Sequence, residues 1–322
     1  MMVARIPALL IGFLLMTPPA SAATPLAIGD SAPPLFVDSW LSGPPAKLFE
    51  PGRIYVVEFW ATWCGPCIAN IPQLTALQRK YAGQSVTVIG ATSPDDWGNT
   101  EAAVRKIIEK KGTALGYSIA WLPGAVEAKD RGIHRHSWFR AAGVDWLPTA
   151  FVVDGKGRIA FIGDPMLVED TLEKILEKRF DVSRARALYL AARGALDTVT
   201  LFKARIEQKD RAGALALGRK LVAGPARQDP RTMLIVADAL SNSPWKTEPE
   251  FSDASLAAAQ RAVDLTRSRA PGMLDLLAHV YFVRGDLTHA VESEALAVSL
   301  SEGPMLEAQK KNLADYRAAL EK

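Results

Sequence analysis

The chain has 322 residues, of which 49% are hydrophobic and 23% charged, with a formal net charge of +3 at pH 7. At roughly 100 to 200 residues per domain this length calls for two domains of ordinary globular composition. A charge so close to balance supplies no electrostatic basis for binding nucleic acid, and the moderate apolar content excludes a chain that crosses a membrane many times.

Taken in chain order, Met1 to Arg5 carry one positive charge, and Ile6 to Met16 form an uncharged apolar run. Pro18-Pro19 then break any helix, and Ala20-Ser21-Ala22 supply the small-x-small pattern of a cleavage site. Residues 1–22 are therefore expected to be a cleaved secretory signal peptide. The alternative, an uncleaved anchor, asks for an apolar run of about 18 residues or more, longer than the one present.

Residues 23–182 are expected to form one domain of alternating strands and helices. The β-branched and aromatic run Ile54 to Trp60 predicts a strand, and Ile68 to Tyr81 predicts a helix on the spacing of Ile71, Leu74, Leu77 and Tyr81, with a kink at Pro72. A strand over Val86 to Ala91, a helix over Thr100 to Lys110, a strand over Tyr117 to Trp121 and a helix over His134 to Ala142 follow. Thr149 to Val153 and Ile159 to Ile162 flank Asp154-Gly155-Lys156-Gly157, the turn chemistry of a hairpin, and Thr171 to Lys178 closes the domain as a helix. This order predicts an α/β fold, a central mixed sheet flanked by helices.

Residues 183–322 lose the strand pattern and are expected to be an all-α second domain. Leu274 to Ala297 is its clearest segment: Leu277, Ala278, Tyr281, Gly285, Ala290 and Ala297 fall at the offsets of a tetratricopeptide repeat, and Asp210 to Val222 suits the second helix of an earlier pair. A plain helical bundle is the alternative.

The chain holds two cysteines, both in Trp63-Cys64-Gly65-Pro66-Cys67. So close a pair cannot build a fold-wide disulfide framework, and alone it cannot fill a four-ligand zinc site. His134, His136, His279 and His289 offer no spacing that completes one, so neither metal nor cofactor is expected. A pair three apart at the start of a helix suits thiol–disulfide exchange. The helix N-terminus favours the thiolate of Cys64, which attacks as nucleophile, and Cys67, one turn on, resolves the mixed disulfide. Gly65 is expected to leave Cys64 uncovered for a partner, and Pro66 fits the first helical turn, where no N–H is needed.

Glu58-Phe59-Trp60-Ala61-Thr62-Trp63-Cys64-Gly65-Pro66-Cys67, followed after an insertion by Gly143-Val144-Asp145-Trp146-Leu147-Pro148-Thr149, resembles the thioredoxin superfamily. With the leader and the insertion around Ser93 to Gly132, it is more similar to the exported oxidoreductases of the TlpA/ResA type than to cytosolic thioredoxin. The resemblance covers about Ala27 to Phe180. It implies a periplasmic thiol-disulfide oxidoreductase that reduces disulfides of exported proteins and draws electrons from a membrane thiol carrier. It further implies that Pro148 is a cis-proline opposite the dithiol, that Leu147 offers its backbone to substrate, and that Trp63, Gly65, Pro66 and Trp146 line the substrate surface. Glu58 falls at the buried acid behind the second cysteine, where burial raises its pKa and suits it to relay a proton to or from Cys67. A surface position for Glu58 is the alternative.

One departure is Asn70, which stands where many ResA-like proteins carry an acid. Trp97, Trp121, Trp138 and Trp146 are candidates for the wall of an apolar groove, with core packing the default for any one of them. A thiol peroxidase of the same fold would require a Pro-x-x-x-Thr-x-x-Cys motif, and the residues ahead of Thr62 belong to the strand instead. A different class of function, a peptide- or protein-binding helical repeat with a thioredoxin-like docking platform, rests on the helical half.

Overall fold

The computed structural model describes residues 25–123 and 137–321, apart from the side chains of residues 303 and 304. The expected leader, and with it His134 and His136, lies outside the described residues. No helix among those described is long and apolar enough to cross a membrane.

The centre of the first half is β2 (Ile54–Phe59), buried along its whole length. It pairs in parallel with β3 (Val86–Thr92) and antiparallel with β5 (Thr149–Val153). Beyond them lie β4 (Ser118–Trp121), β1 (Ser39–Ser42) and β6 (Ile159–Gly163), giving a six-stranded mixed sheet in the order β1-β4-β3-β2-β5-β6. Strand side chains alternate between faces, so β2 supplies both layers. Ile54 and Val56 pack with Val88, Ile119 and Val152 beneath α1 (Gly65–Tyr81). Tyr55, Val57 and Phe59 pack with Ile89, Phe151 and the aromatic pair Trp138 and Phe139 of α3 (Ser137–Ala142). Trp138 is fully buried and donates to the Pro34 carbonyl at 3.1 Å, which removes it from any substrate groove.

The remaining elements of this half are α2 (Glu101–Lys111) and α4 (Val168–Leu176). Strand β1 carries no strand pattern in the sequence: Ser39-Trp40-Leu41-Ser42 is short and half polar, and only its antiparallel pairing with β4 makes it a strand. Helix α1 begins three residues before the expected Ile68, because Cys64 caps it and Pro66 fits its first turn, and it continues through Pro72 to Tyr81.

The second half is all helical: α5 (Val182–Arg193), α6 (Leu196–Glu207), α7 (Arg211–Ala223), α8 (Pro230–Ser241), α9 (Pro249–Leu265), α10 (Pro271–Arg284), α11 (Leu287–Leu300) and α12 (Gly303–Leu320). Helices α6 and α7, α8 and α9, and α10 and α11 pack as successive neighbours, and α12 packs on α11. Asp210, Asp229 and Asp286 cap α7, α8 and α11 by accepting backbone N–H groups of their first turns. Gly285, at φ 80°, takes the left-handed conformation that ends α10 and lets α11 start at once. Phe202, Met233, Val236, Leu240, Phe251 and Ala258 form the shared core, each with no exposed surface.

The two halves are joined by specific polar contacts. Arg186 of α5 donates to the Ile28 carbonyl and to Asp30, both at 2.7 Å. Arg193 donates to the Ala142 carbonyl. Glu169 of α4 receives Lys80 at 2.6 Å and faces Arg269 and Arg267 of the helical half at 3.6 and 3.9 Å.

Glu294 of α11 is buried, and burial, with Asp275 adding repulsion, pushes its carboxyl up to about 9. Its contribution to stability is complete below the ordinary carboxylate pKa of 4.5 and is lost as pH rises through 9, because the unfolded chain releases this proton first. Glu294→Gln should therefore stabilise the protein at pH 8 by about 1–3 kcal/mol and leave it little changed at pH 4, as read by chemical denaturation at the two pH values.

Candidate active site

The site is assembled where β2 ends. The chain leaves the sheet at Trp60, turns through Ala61 to Trp63, and enters α1 with Cys64 as its cap in an extended conformation, φ −81° and ψ 96°. Cys64 and Cys67 are joined in a disulfide, with S–S 2.06 Å and Cα–Cα 5.3 Å. The backbone N–H of Cys67 points at Cys64 Sγ, 3.2 Å away. On reduction the same N–H, together with the helix dipole, is placed to favour a thiolate at Cys64 over one at Cys67.

Across the sheet, Thr149 of β5 pairs with Phe59, and this register brings the preceding loop beside the motif. The Leu147–Pro148 peptide bond is cis. Trp146, half-buried, has its carbonyl held by Thr149 Oγ1 at 2.8 Å, and its ring is covered by the Arg231 guanidinium of α8 at 4.0 Å from the centroid. Burial draws Arg231 down to about 10, a cost offset in part by Asp145, Asp229 and Asp164 nearby.

Glu58 is 1% exposed, so its surface alternative does not hold. Alternation along β2 turns it to the same face as Val56, the face that α1 covers. Its partner in the parallel register is Gly90, where a β-carbon would lie only 2.7 Å from Ile119 and 3.0 Å from Tyr117. The glycine keeps that crowded space open. Desolvation, followed by repulsion from Asp164, pushes Glu58 up to about 8, and its Oε1 has no hydrogen-bond partner among the described residues. Tyr117 is raised in turn by burial and by Glu58. Asp164, held by the N–H of Met166 at 2.8 Å, is itself pushed up to about 6 by burial. Asp164, half-buried, is thus a second acid with a raised pKa near the site. Nothing in the sequence marked it, because an Asp after a strand reads as turn chemistry.

The rim is aromatic and is braced by Asn99. Trp63 and Trp97 meet edge to face with centroids 5.5 Å apart and keep 43% and 63% of their surface exposed. Trp63 Nε1 donates to Asp95 at 2.7 Å, and Asn99, fully buried, accepts from the Thr62 N–H at 2.8 Å while donating to Thr92 and to the Ser93 carbonyl. Trp121 is half-buried against the core beneath α1. Pro66 is exposed and Gly65 half-buried.

The expected accessibility of Cys64 is corrected: Cys64 is 5% exposed and Cys67 1%. Gly65 is itself half-buried, and α12 of the helical half reaches it. A β-carbon on Gly65 would stand 3.4 Å from Met305 Cε. No group of three or more His, Cys, Asp or Glu side chains suited to a metal ion occurs among the described residues.

A family model described as Redoxin matches residues 28–176. Protein FixW of Rhizobium leguminosarum is 32% identical over 168 residues, covering 50% of this chain and 71% of FixW. Thiol-disulfide oxidoreductase ResA of Geobacillus kaustophilus is 26% identical over 168 residues, covering 52% of this chain and 86% of ResA. Among solved structures, a thiol-disulfide isomerase from Corynebacterium glutamicum aligns with 44% of this chain and 94% of its own at 21% identity, with a TM-score of 0.38.

Two outcomes follow from this geometry. The folded pKa of Glu58 lies above its unfolded value of 4.5, so its stabilising contribution is complete below pH 4.5 and is lost as pH rises through about 8. Replacing it in Glu58→Gln should flatten the fall in stability over that window by about 1.4 kcal/mol per pH unit, measured by denaturant titration. Asn99→Ala removes the acceptor of the Thr62 N–H and the donor to the Ser93 carbonyl and Thr92 Oγ1, and should cost about 1–3 kcal/mol and alter the tryptophan fluorescence of the Trp63–Trp97 rim.

Proposed function

Because the chain belongs to the redoxin family and is a thiol-disulfide oxidoreductase of the ResA type with its pair at Cys64 and Cys67, we propose that it works outside the cytosol as a reductase of protein disulfides. The observation that carries this reading is the disulfide at the N-terminus of α1, beside the cis Leu147–Pro148 bond, with a buried acid behind it.

In the proposed cycle the reduced Cys64 thiolate attacks one sulfur of a substrate disulfide. That S–S bond breaks, one substrate thiolate leaves and takes up a proton, and Cys64 holds the other half as a mixed disulfide. Cys67 then loses its proton and attacks Cys64 Sγ, which expels the second substrate thiolate and closes the Cys64–Cys67 disulfide. Two electrons pass to the substrate, and a thiol donor must return them.

Glu58 suits the role of proton relay to Cys67, because a carboxyl raised to about 8 is close to the ordinary thiol pKa of ~8.5, and proton transfer between matched groups is efficient. Leu147, Pro148 and Trp146, with Trp63, Gly65 and Pro66, are the proposed substrate surface. Export to the periplasm is supported by the composition of residues 1–22, and a membrane thiol donor by the resemblance to exported relatives. The stacked hairpins of the helical half fit a tetratricopeptide-like surface that selects a protein partner.

Cys67→Ser should trap Cys64 in a stable mixed disulfide with the physiological partner, identifiable by mass spectrometry, while Cys64→Ser traps none. A reduction potential above about −150 mV, with no reduction of a test disulfide, would instead assign the oxidising direction.

A further inference from the structure

We infer that Met305, carried by the helical half, is a specificity-determining residue of the exchange site: it closes the approach to Cys64 against bulky protein partners and leaves it open to narrow ones. The inference rests on the thiol-exchange reading of Cys64 and Cys67.

Exchange requires an incoming sulfur to reach the sulfur it attacks or is attacked by, so access sets which partners react. Around the motif, Trp63 and Pro66 lie at the surface, yet Cys64 between them is 5% exposed. Cys64 is followed by the half-buried Gly65, and there the neighbour from outside the redox half is Met305, with Cε 3.4 Å and Cβ 3.7 Å from a Gly65 β-carbon position. Met305 lies in the first turn of α12, and that end of the helix is tied down. Glu302 pairs with Lys111 of α2 at 2.5 Å, and the Lys111 side chain is only 6% exposed. Further along, Gln309 donates to the Pro271 carbonyl at 3.2 Å and Asn312 to Asp275 at 3.0 Å. The obstruction is therefore a fixed helix presenting one adaptable side chain. An unbranched thioether can shift aside for a slender group without moving the helix behind it.

The test uses the full chain in its disulfide form. Its reduction is followed by tryptophan fluorescence with two donors, dithiothreitol as a narrow dithiol and a reduced thioredoxin as a bulky one. In each case the donor gives two electrons and two protons and becomes a disulfide, while Cys64–Cys67 becomes a dithiol. Met305→Ala should raise the ratio of the thioredoxin rate to the dithiothreitol rate about tenfold. Glu302→Gln, which loosens the head of α12 without touching the core, should raise the same ratio by a smaller factor. An unchanged ratio in both variants would overturn the inference. A disulfide that neither donor opens in any form of the protein would overturn the redox reading itself, and the inference with it.

Discussion

Burial of β2 on both faces is the constraint from which the rest of the structure follows. A strand with no exposed residue has a fixed register against both neighbours, since a slip of one position would turn every side chain to the wrong layer. That register sets three things at once. It places Glu58 beneath α1 opposite Gly90, it brings the cis Leu147–Pro148 loop to the end of the strand through Phe59 and Thr149, and it delivers the chain to Cys64 at the point where α1 can begin.

The electrostatics of the site come from that burial. Glu58 and Asp164 are both raised by desolvation, and their mutual repulsion raises Glu58 further. The helical half takes part in the same field: Arg231 and Asp229, at the start of α8, act on Asp164 from across the junction, while the Arg231 guanidinium lies over Trp146. The two halves therefore meet at the chemistry. Met305 at Gly65 and Arg231 at Trp146 put side chains of the helical half against both the dithiol turn and the cis-proline loop.

Much of the first half was legible in the sequence. Strands β2, β3, β5 and β6 are short β-branched or aromatic runs bounded by turn residues, and α1 and α2 carry helical spacing with clear ends, so local pattern and burial agree. Strand β1 was not legible, because its polar residues become a strand only through pairing with β4. The tryptophans show the same limit. Trp97 and Trp138 look alike as candidates for a groove, yet Trp138 lies in the core against Phe59 and Phe151 while Trp97 stands exposed on the rim beside Trp63. Which environment each one meets depends on segments distant in the chain.

The sequence by itself determined the reactive centre. A pair of cysteines three apart, after an apolar strand and at the head of a helix, carries its geometry and its preference for a thiolate in local backbone structure, and Glu58 is placed by the alternation of the same strand. The tertiary structure alone decided how open that centre is. Cys64 is 5% exposed, and the Gly65 that follows it meets Met305 of the last helix, three residues on from the Glu302 that pairs with Lys111. A contact between residues so far apart in the chain leaves no periodicity, cap or motif in either segment, so it becomes visible only once the halves are packed together.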